Sequence, residues 1–179
     1  VLPDDELIRK SLAGDRRAFD ELVVRYRKQV YLTAYRMVEN AEIAEEIAQE
    51  TFLRAYRQLR SFRRKARFTT WLYRITMNLC YTELKRSAKE NTPVPPAVNN
   101  SSDRVPGKLM EEERMAWLKR QIALLPFKQR AAVTLRTFQN MSFNEIGHSL
   151  GCTAGSARVN YRHAILKLKE ALKRSGEEL

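Results

Sequence analysis

The chain has 179 residues, with 33 Lys and Arg against 21 Asp and Glu, a formal net charge of +12 and an isoelectric point near 10.0. That length suits one average domain or two small ones, and that charge favours a polyanionic partner, nucleic acid ahead of an anionic membrane surface. No apolar run approaches the roughly 20 residues a membrane span needs, and Val1-Leu-Pro-Asp-Asp-Glu lacks the basic-then-apolar layout of a secretory signal.

Cys80 and Cys152 lie far apart and inside expected helices, so neither CxxC chemistry nor a disulfide framework is suggested, and two reduced thiols in a cytoplasmic protein are expected. Apolar residues recur at helical spacing almost throughout, and Gly and Pro cluster where helices should end, so the expected fold class is all-α. A first helix is expected from Asp4 to Ala13, stopped by Gly14. Asp15 then caps a longer helix whose stripe is Phe19, Leu22, Val23, Tyr26, Val30 and Ala34. Asn40 marks a turn, and a third helix should run from about Ala41 to Leu59, burying Ile43, Ile47, Phe52 and Tyr56 or their neighbours. Its opening is acidic: Glu39 to Glu50 holds five glutamates and no Lys or Arg, a surface for a basic partner.

The next segment inverts that charge. From Thr51 to Thr82 there is no acidic residue, and Phe62-Arg-Arg-Lys-Ala-Arg-Phe-Thr-Thr-Trp-Leu-Tyr-Arg74 alternates rings with positive charge. Guanidinium groups meet phosphates and ring faces meet unpaired bases, the chemistry that holds a separated DNA strand. A helix from roughly Thr69 to Ser87 follows the basic loop. Phe68, Leu72, Ile75 and Leu79 share its core face, while Arg74, Asn78, Tyr81 and Lys85 form a row a quarter turn away, suited to bases and phosphates. Trp71 falls between the stripes and reads as a core aromatic ahead of a stacking platform; for Phe62 both readings stand.

Residues 89–108 change character, with Asn-Thr-Pro-Val-Pro-Pro, Asn-Asn-Ser-Ser-Asp and a closing Pro106-Gly107. Such a stretch buries too little apolar surface to offset its ordering entropy and is expected to be a flexible linker. It divides a domain over 1–88 from a second helical domain over 109–179. Twenty residues span about 70 Å when extended, roughly two turns of B-DNA.

In the second domain, Ser142-Phe-Asn-Glu145 is a capping-box pattern opening a short helix. Ile146 and Leu150 face inward, Gly147 allows close approach, Gly151 supplies a turn, and Ser156 begins a long helix with the stripe Ala157, Tyr161, Ala164, Ile165, Leu168 and Leu172. This is the helix-turn-helix plan, whose second helix enters the major groove. Opposite the stripe lie Ser156, Val159, Arg162 and His163, flanked by Arg158: an arginine to pair with guanine, a valine for a thymine methyl. After Phe127 there are nine Lys or Arg against four Glu, and Arg136 at the end of the preceding helix is a candidate phosphate anchor.

These features together resemble a known family. Ala44-Glu-Glu-Ile-Ala-Gln-Glu-Thr-Phe-Leu-Arg-Ala-Tyr-Arg57 resembles the core-polymerase-binding helix of bacterial sigma factors, and Phe68-Thr-Thr-Trp-Leu-Tyr-Arg-Ile-Thr-Met-Asn78 their promoter-melting helix. With Gly14-Asp15, Ala18-Phe19, Arg25-Tyr26 and Leu125-Pro126, the likeness is to the extracytoplasmic-function group and covers nearly the whole chain except the linker. The resemblance implies an alternative sigma factor that binds core RNA polymerase and directs promoter recognition and transcription initiation. It assigns Glu45, Glu46, Gln49, Glu50, Phe52 and Arg54 to polymerase docking. The loop residues Phe62, Arg63, Arg64, Lys65 and Arg67, with Arg74 and Asn78, match the part that captures a non-template base of the minus-ten element. The helix from Gly155 matches the reader of the minus-thirty-five element. Many members carry Gly-Thr-Val-Lys-Ser-Arg there; this chain has Gly155-Ser-Ala-Arg-Val-Asn160, keeping Arg158 but placing Asn160 and Ile165 where the family has Arg. An anti-sigma partner that packs both domains together is also implied, with exposed Leu166 as a candidate contact.

Two rivals stand beside this. Glu145-Ile-Gly-His148 matches the Glu-x-x-His element of di-iron bundles, and Glu42, Glu46 and Glu50 repeat at four-residue spacing, but those sites need two such elements. The sole other histidine, His163, is on the DNA-reading helix. No Ser/His/Asp or Cys/His arrangement and no phosphate-cradling Gly loop is evident, so no catalytic residue, metal or cofactor is expected. A stand-alone helix-turn-helix regulator explains the second domain but leaves the acidic helix and the aromatic loop without a role.

Overall fold

The computed structural model describes residues 2–63, 65–90 and 106–175, with side chains from 113 onward in the last stretch. Arg64 and positions 91–105 of the expected linker lie outside the described residues. Among those described, every regular element is a helix: α1 (Asp4–Leu12), α2 (Arg16–Val38), α3 (Ala41–Gln58), a 3-10 turn (Leu59–Ser61), α4 (Phe68–Lys89), α5 (Pro106–Ala123), α6 (Phe127–Phe138), α7 (Phe143–Leu150) and α8 (Ala154–Ser175). None is long and apolar enough to cross a membrane.

Local chemistry sets most of these boundaries. Asp15 accepts the Arg17 N–H at 3.0 Å and opens α2, and Asn40 accepts the Ile43 N–H at 3.0 Å and opens α3. Each such cap stabilises its helix by about 1 kcal/mol. Ser142 and Glu145 form the full reciprocal capping box of α7, and Gly151, at φ 63°, turns the chain out of it. The Thr153 hydroxyl accepts the Ser156 N–H at 3.1 Å, so α8 starts at Ala154, two residues before the expected Ser156.

Other expectations need correction. Pro106 and Gly107 open α5 instead of closing a linker, because proline lacks the N–H that the first helical position leaves unpaired anyway. Cys152 lies in the turn after Gly151, outside any helix. In α3 it is Ala55 that is buried, whereas Tyr56 stays 46% exposed, its ring edge-on to Phe19 at 5.0 Å.

Helices α1 to α4 form one domain around Leu7, Ile8, Leu22, Val30, Met37, Leu72 and Met77, all fully buried. Helices α6 to α8 form the other, with Leu125, Val133 and Ala164 as a local core under Tyr161, Ile165 and Leu168. The two domains touch: α7 lies on α4 and α6 on α2. Ala131, Leu135, Met141 and Ile146 thereby join the core of the first domain.

The seam also carries directional bonds. The Tyr73 hydroxyl donates to Gln139 Oε1 at 2.6 Å, and Gln139 Nε2 donates to the Thr33 hydroxyl at 2.9 Å. Ser149 Oγ donates to the Thr70 carbonyl at 3.0 Å. Arg130 donates one terminal nitrogen to the Met37 carbonyl at 2.6 Å and the other to the Ala123 carbonyl, so one guanidinium serves the carboxy-terminal ends of α2 and α5, where helix dipoles favour positive charge. The Arg36 guanidinium sits 3.9 Å over the Phe138 ring, and Tyr81 meets Phe127 at 5.2 Å. Burial pushes the Tyr73 hydroxyl up to about 12, so it remains a donor across the physiological range.

Candidate nucleic-acid interface and its acidic neighbour

The basic loop joins the 3-10 turn to α4. Arg63, Lys65 and Arg67 are exposed on it, and Arg74 and Asn78 are exposed on the α4 face that continues it. Tyr81 and Lys85 extend that row and are exposed as well. Other faces of α4 bury Phe68, Leu72, Ile75 and Cys80 in its own domain and Thr70 and Tyr73 against the second, so the row with Arg74 and Asn78 is the face left to solvent. Burial pushes the Cys80 thiol up to about 12, which leaves it an inert core group.

Phe62 and Trp71 are half-buried and meet at 5.2 Å between centroids with their planes tilted by 39°. Both rings also meet Phe68, each at 5.8 Å between centroids. Arg67 is 81% exposed, with Nε 3.7 Å from Glu145 Oε1 of α7. A pair so exposed contributes little to stability. Burial of Glu145 opposes its ionisation, but the N–H and hydroxyl of Ser142, with Arg67, hold its carboxyl below the usual carboxylate range. Because that carboxylate completes a helix cap, it is already committed to structure. Among the described residues no group of three or more His, Cys, Asp or Glu is placed to hold a metal, and His148 is exposed.

The acidic neighbour is the outer face of α3. Glu45, Glu46 and Gln49 are exposed, and Glu50 is half-buried with an oxygen 2.6 Å from Arg54 Nε. Phe52 is only 7% exposed, so it serves as a floor and not as a projecting contact. It lies in an open groove of about 770 Å³ between α2 and α3, floored by Phe19, Val23 and Phe52 and rimmed by Glu45, Gln49 and Arg27. An apolar floor with charged rims suits an amphipathic helix.

On α8 the outward face carries Ser156, Arg158, Val159, Arg162 and His163, all exposed. Gly147 lets the two helices of this hairpin approach, since a Cβ there would lie 2.7 Å from the Cys152 carbonyl oxygen. Arg136 is half-buried: it donates to the Met141 carbonyl at 2.8 Å and lies over the Phe143 ring at 5.1 Å. Its guanidinium therefore closes the α6–α7 connection, which leaves fewer donors for a phosphate. Arg158 covers the same ring at 5.3 Å. Asn160, at the position where the family carries Arg, turns back to donate to the Ser156 carbonyl at 2.9 Å.

The loop row, the groove and α8 are thus built from residues legible in the sequence. Thr33, Tyr73, Arg130 and Gln139 are not: nothing in their spacing marks them, and only docking of the two domains pairs them. In that docked state Asn78 and Tyr81 share a cleft of about 450 Å³ with Phe127, Lys128, Leu150 and Asn160.

Comparison with known proteins gives these surfaces a lineage. Residues 22–90 match the family described as Sigma-70 region 2, and residues 115–168 that described as Sigma-70, region 4. The RNA polymerase sigma-H factor of Pseudomonas aeruginosa is 31% identical over 98% of this chain and 95% of its own. The ECF RNA polymerase sigma-E factor of Escherichia coli is 33% identical over 96% of this chain and 93% of its own. Among solved structures, CnrH in complex with the cytosolic domain of CnrY superposes with a TM-score of 0.73 at 22% identity, covering 96% of this chain and 97% of that one. The sigma factor RpoE in complex with the anti-sigma factor NepR, from Bartonella quintana, gives 0.66 at 21% identity over 87% and 96%. At those identities the two structures bear on the fold, a pair of helical domains, and it is the sequence relatives that carry the lineage. The chain belongs to the extracytoplasmic-function sigma factors of the sigma-70 family.

Proposed function

We propose that this alternative sigma factor, which directs transcription initiation, divides its work among the three surfaces described above. The α3 helix docks on core RNA polymerase, with Glu45 and Gln49 at the rim of the Phe52-floored groove and Glu46, Glu50 and Arg54 beside it on the same helix. Arg63, Arg64, Lys65, Arg67, Arg74 and Asn78 capture the non-template strand of the minus-ten element, with Phe62 supporting the loop from beneath. Ser156, Arg158, Val159, Arg162 and His163 read the minus-thirty-five duplex, and Arg136 orders the turn that presents them. The working division is region 2 over 1–88, a linker over 89–108 and region 4 over 109–179. The protein supplies recognition and leaves bond chemistry to the polymerase, and it works in the cytoplasm.

The observation that carries this reading is the pairing, on one small domain, of an acidic helix face with an acid-free basic row. A stand-alone regulator of duplex DNA has no use for the first. The docked seam adds that the free chain is a closed form: with Asn78 and Asn160 on one cleft, the two DNA readers cannot reach elements well apart on a duplex. Polymerase must therefore spread the domains. The closed pair is also the form an anti-sigma partner would hold, in keeping with the solved complexes of CnrH with CnrY and of RpoE with the anti-sigma factor NepR, and Leu166, 48% exposed on α8, lies open to such a contact.

Transcription with core polymerase on supercoiled templates carrying a terminator tests the whole. The wild-type chain should support initiation, and Glu50→Lys, which puts a repelling charge into the docking face, should abolish polymerase capture in a pull-down while leaving the helical circular dichroism unchanged. Retained capture by that variant would remove the docking assignment. Templates that stay paired at every start site would remove the reading as a whole.

A further inference from the structure

A cluster of four rings lies under the basic loop. Phe68, the first residue of α4, is 4% exposed and touches three of them: Phe62 at 5.8 Å, Trp71 at 5.8 Å and Tyr26 at 5.9 Å between centroids. Phe62 precedes the loop and Phe68 follows it, so this cluster fastens both of its ends. Tyr26, from α2, is the member tied to another helix. Its hydroxyl donates to Asp4 Oδ2 in the first turn of α1. The other Asp4 oxygen accepts from Arg25 Nη1 at 2.5 Å, and Arg25 Nη2 reaches the Leu2 carbonyl at 2.8 Å and Glu21 at 3.0 Å. Burial, with Asp4 as acceptor, pushes the Tyr26 hydroxyl up to about 12, so the bond persists through the working pH range. The same α1 buries Leu7 and Ile8 and packs against the 3-10 turn that leads into the loop. The amino-terminal helix therefore touches the segment before the loop directly and the residue after it through Tyr26.

We propose that Tyr26 and Asp4 are positioning residues for strand capture. Their bond fixes the Tyr26 ring under Phe68, and Phe68 fixes the ends of the loop and the first turn of α4, so that Arg67, Arg74 and Asn78 stand in one geometry when a base is unpaired. A loop whose ends are held loses less freedom on binding and captures more tightly. This inference rests on the strand-capture reading of the loop and assigns α1 a part in it. It also places the effect on capture and not on docking, because neither Asp4 nor Tyr26 lines the groove between α2 and α3.

The test uses holoenzyme reconstituted with wild-type chain, Tyr26→Phe, Tyr26→Leu and Asn78→Ala. Binding of a single-stranded minus-ten oligonucleotide and permanganate reactivity of a linear promoter are measured beside affinity for core polymerase. Tyr26→Phe keeps the ring and loses only its tie. It should weaken oligonucleotide capture and opening about five-fold, and Tyr26→Leu about twenty-fold, a range ordinary for small misplacements of a functional group. Polymerase affinity should stay within two-fold or so of wild type for both. Unchanged capture by Tyr26→Phe, with Asn78→Ala impaired, overturns the positioning role and leaves the loop reading standing. Parallel loss of polymerase affinity and capture in Tyr26→Phe overturns it too, since the tie would then serve the domain as a whole. If Asn78→Ala captures the strand normally, the loop reading itself fails, and the positioning role with it.

Discussion

The interior of the amino-terminal domain is held by apolar contact, whereas the seam between the domains adds directional bonds to the apolar contact of Ala131, Leu135, Met141 and Ile146. Inside, Leu7, Ile8, Leu22, Met37, Leu72 and Met77 are each no more than 1% exposed, and their contacts are apolar. Across the seam, small and aliphatic side chains are joined by a row of directional bonds, among them Tyr73–Gln139–Thr33, Ser149–Thr70 and Arg130–Met37. Apolar burial is non-directional. A hydrogen bond opened to water is replaced by another, so its net contribution is about 0.5–1.5 kcal/mol. The difference teaches that directional bonds fix how the two domains dock, on top of the apolar contact they share.

Three substitutions or conditions would break or sharpen that contrast. The largest effect belongs to Leu72→Ala, which deletes a side chain from the centre of the core and should destabilise the domain by about 2–5 kcal/mol. Its thermal unfolding midpoint should fall sharply, whereas a shift of only a degree or so would mean the core is less closely packed than it looks. Next comes Gln139→Ala, which leaves the Tyr73 and Thr33 hydroxyls without their cross-domain partner and should weaken the closed form by about 1–3 kcal/mol. Small-angle scattering should then report a longer particle whose helical content and unfolding midpoint hardly change. An unfolding midpoint lowered as much as in Leu72→Ala would erase the distinction between seam and core.

The smallest effect is expected from acid. The folded-state pKa of Glu145 is depressed, so its contribution is fully present above the ordinary carboxylate range and is lost as pH falls through the lower folded value. Amide exchange in the first turn of α7 should accelerate in that acidic window before the rest of the chain responds. Uniform acceleration across α4 and α7 would show that acid acts on the seam and not on the cap.

Much of the candidate site was legible because its residues lie close in sequence. The acidic opening of α3 and the acid-free stretch after it are one helix and one loop, and helical periodicity alone puts Arg74 and Asn78 on the outer face of α4. The capping box of α7 joins residues three apart. Phe62 was less legible, since an aromatic at the edge of a loop reads alike as floor or as projection until its neighbours are in place, whereas Phe52 was expected to be buried and is 7% exposed. Pro106 was misplaced for a related reason: the same residue that ends one segment is welcome at the first position of the next.

The chain's order of residues by itself determined the helices, their caps and the segregation of charge into an acidic face and two basic ones. Each of these depends on spacings of a few residues along a single helix or turn. Tertiary structure alone decided that Gln139 would join Thr33, 106 positions away, to Tyr73, 66 away. It also decided that Tyr26 would link Asp4 to Phe68 and that the two DNA readers would close on one cleft. Hydrogen bonds and ring contacts act only over a few ångströms, so which distant groups meet is settled by how whole helices dock.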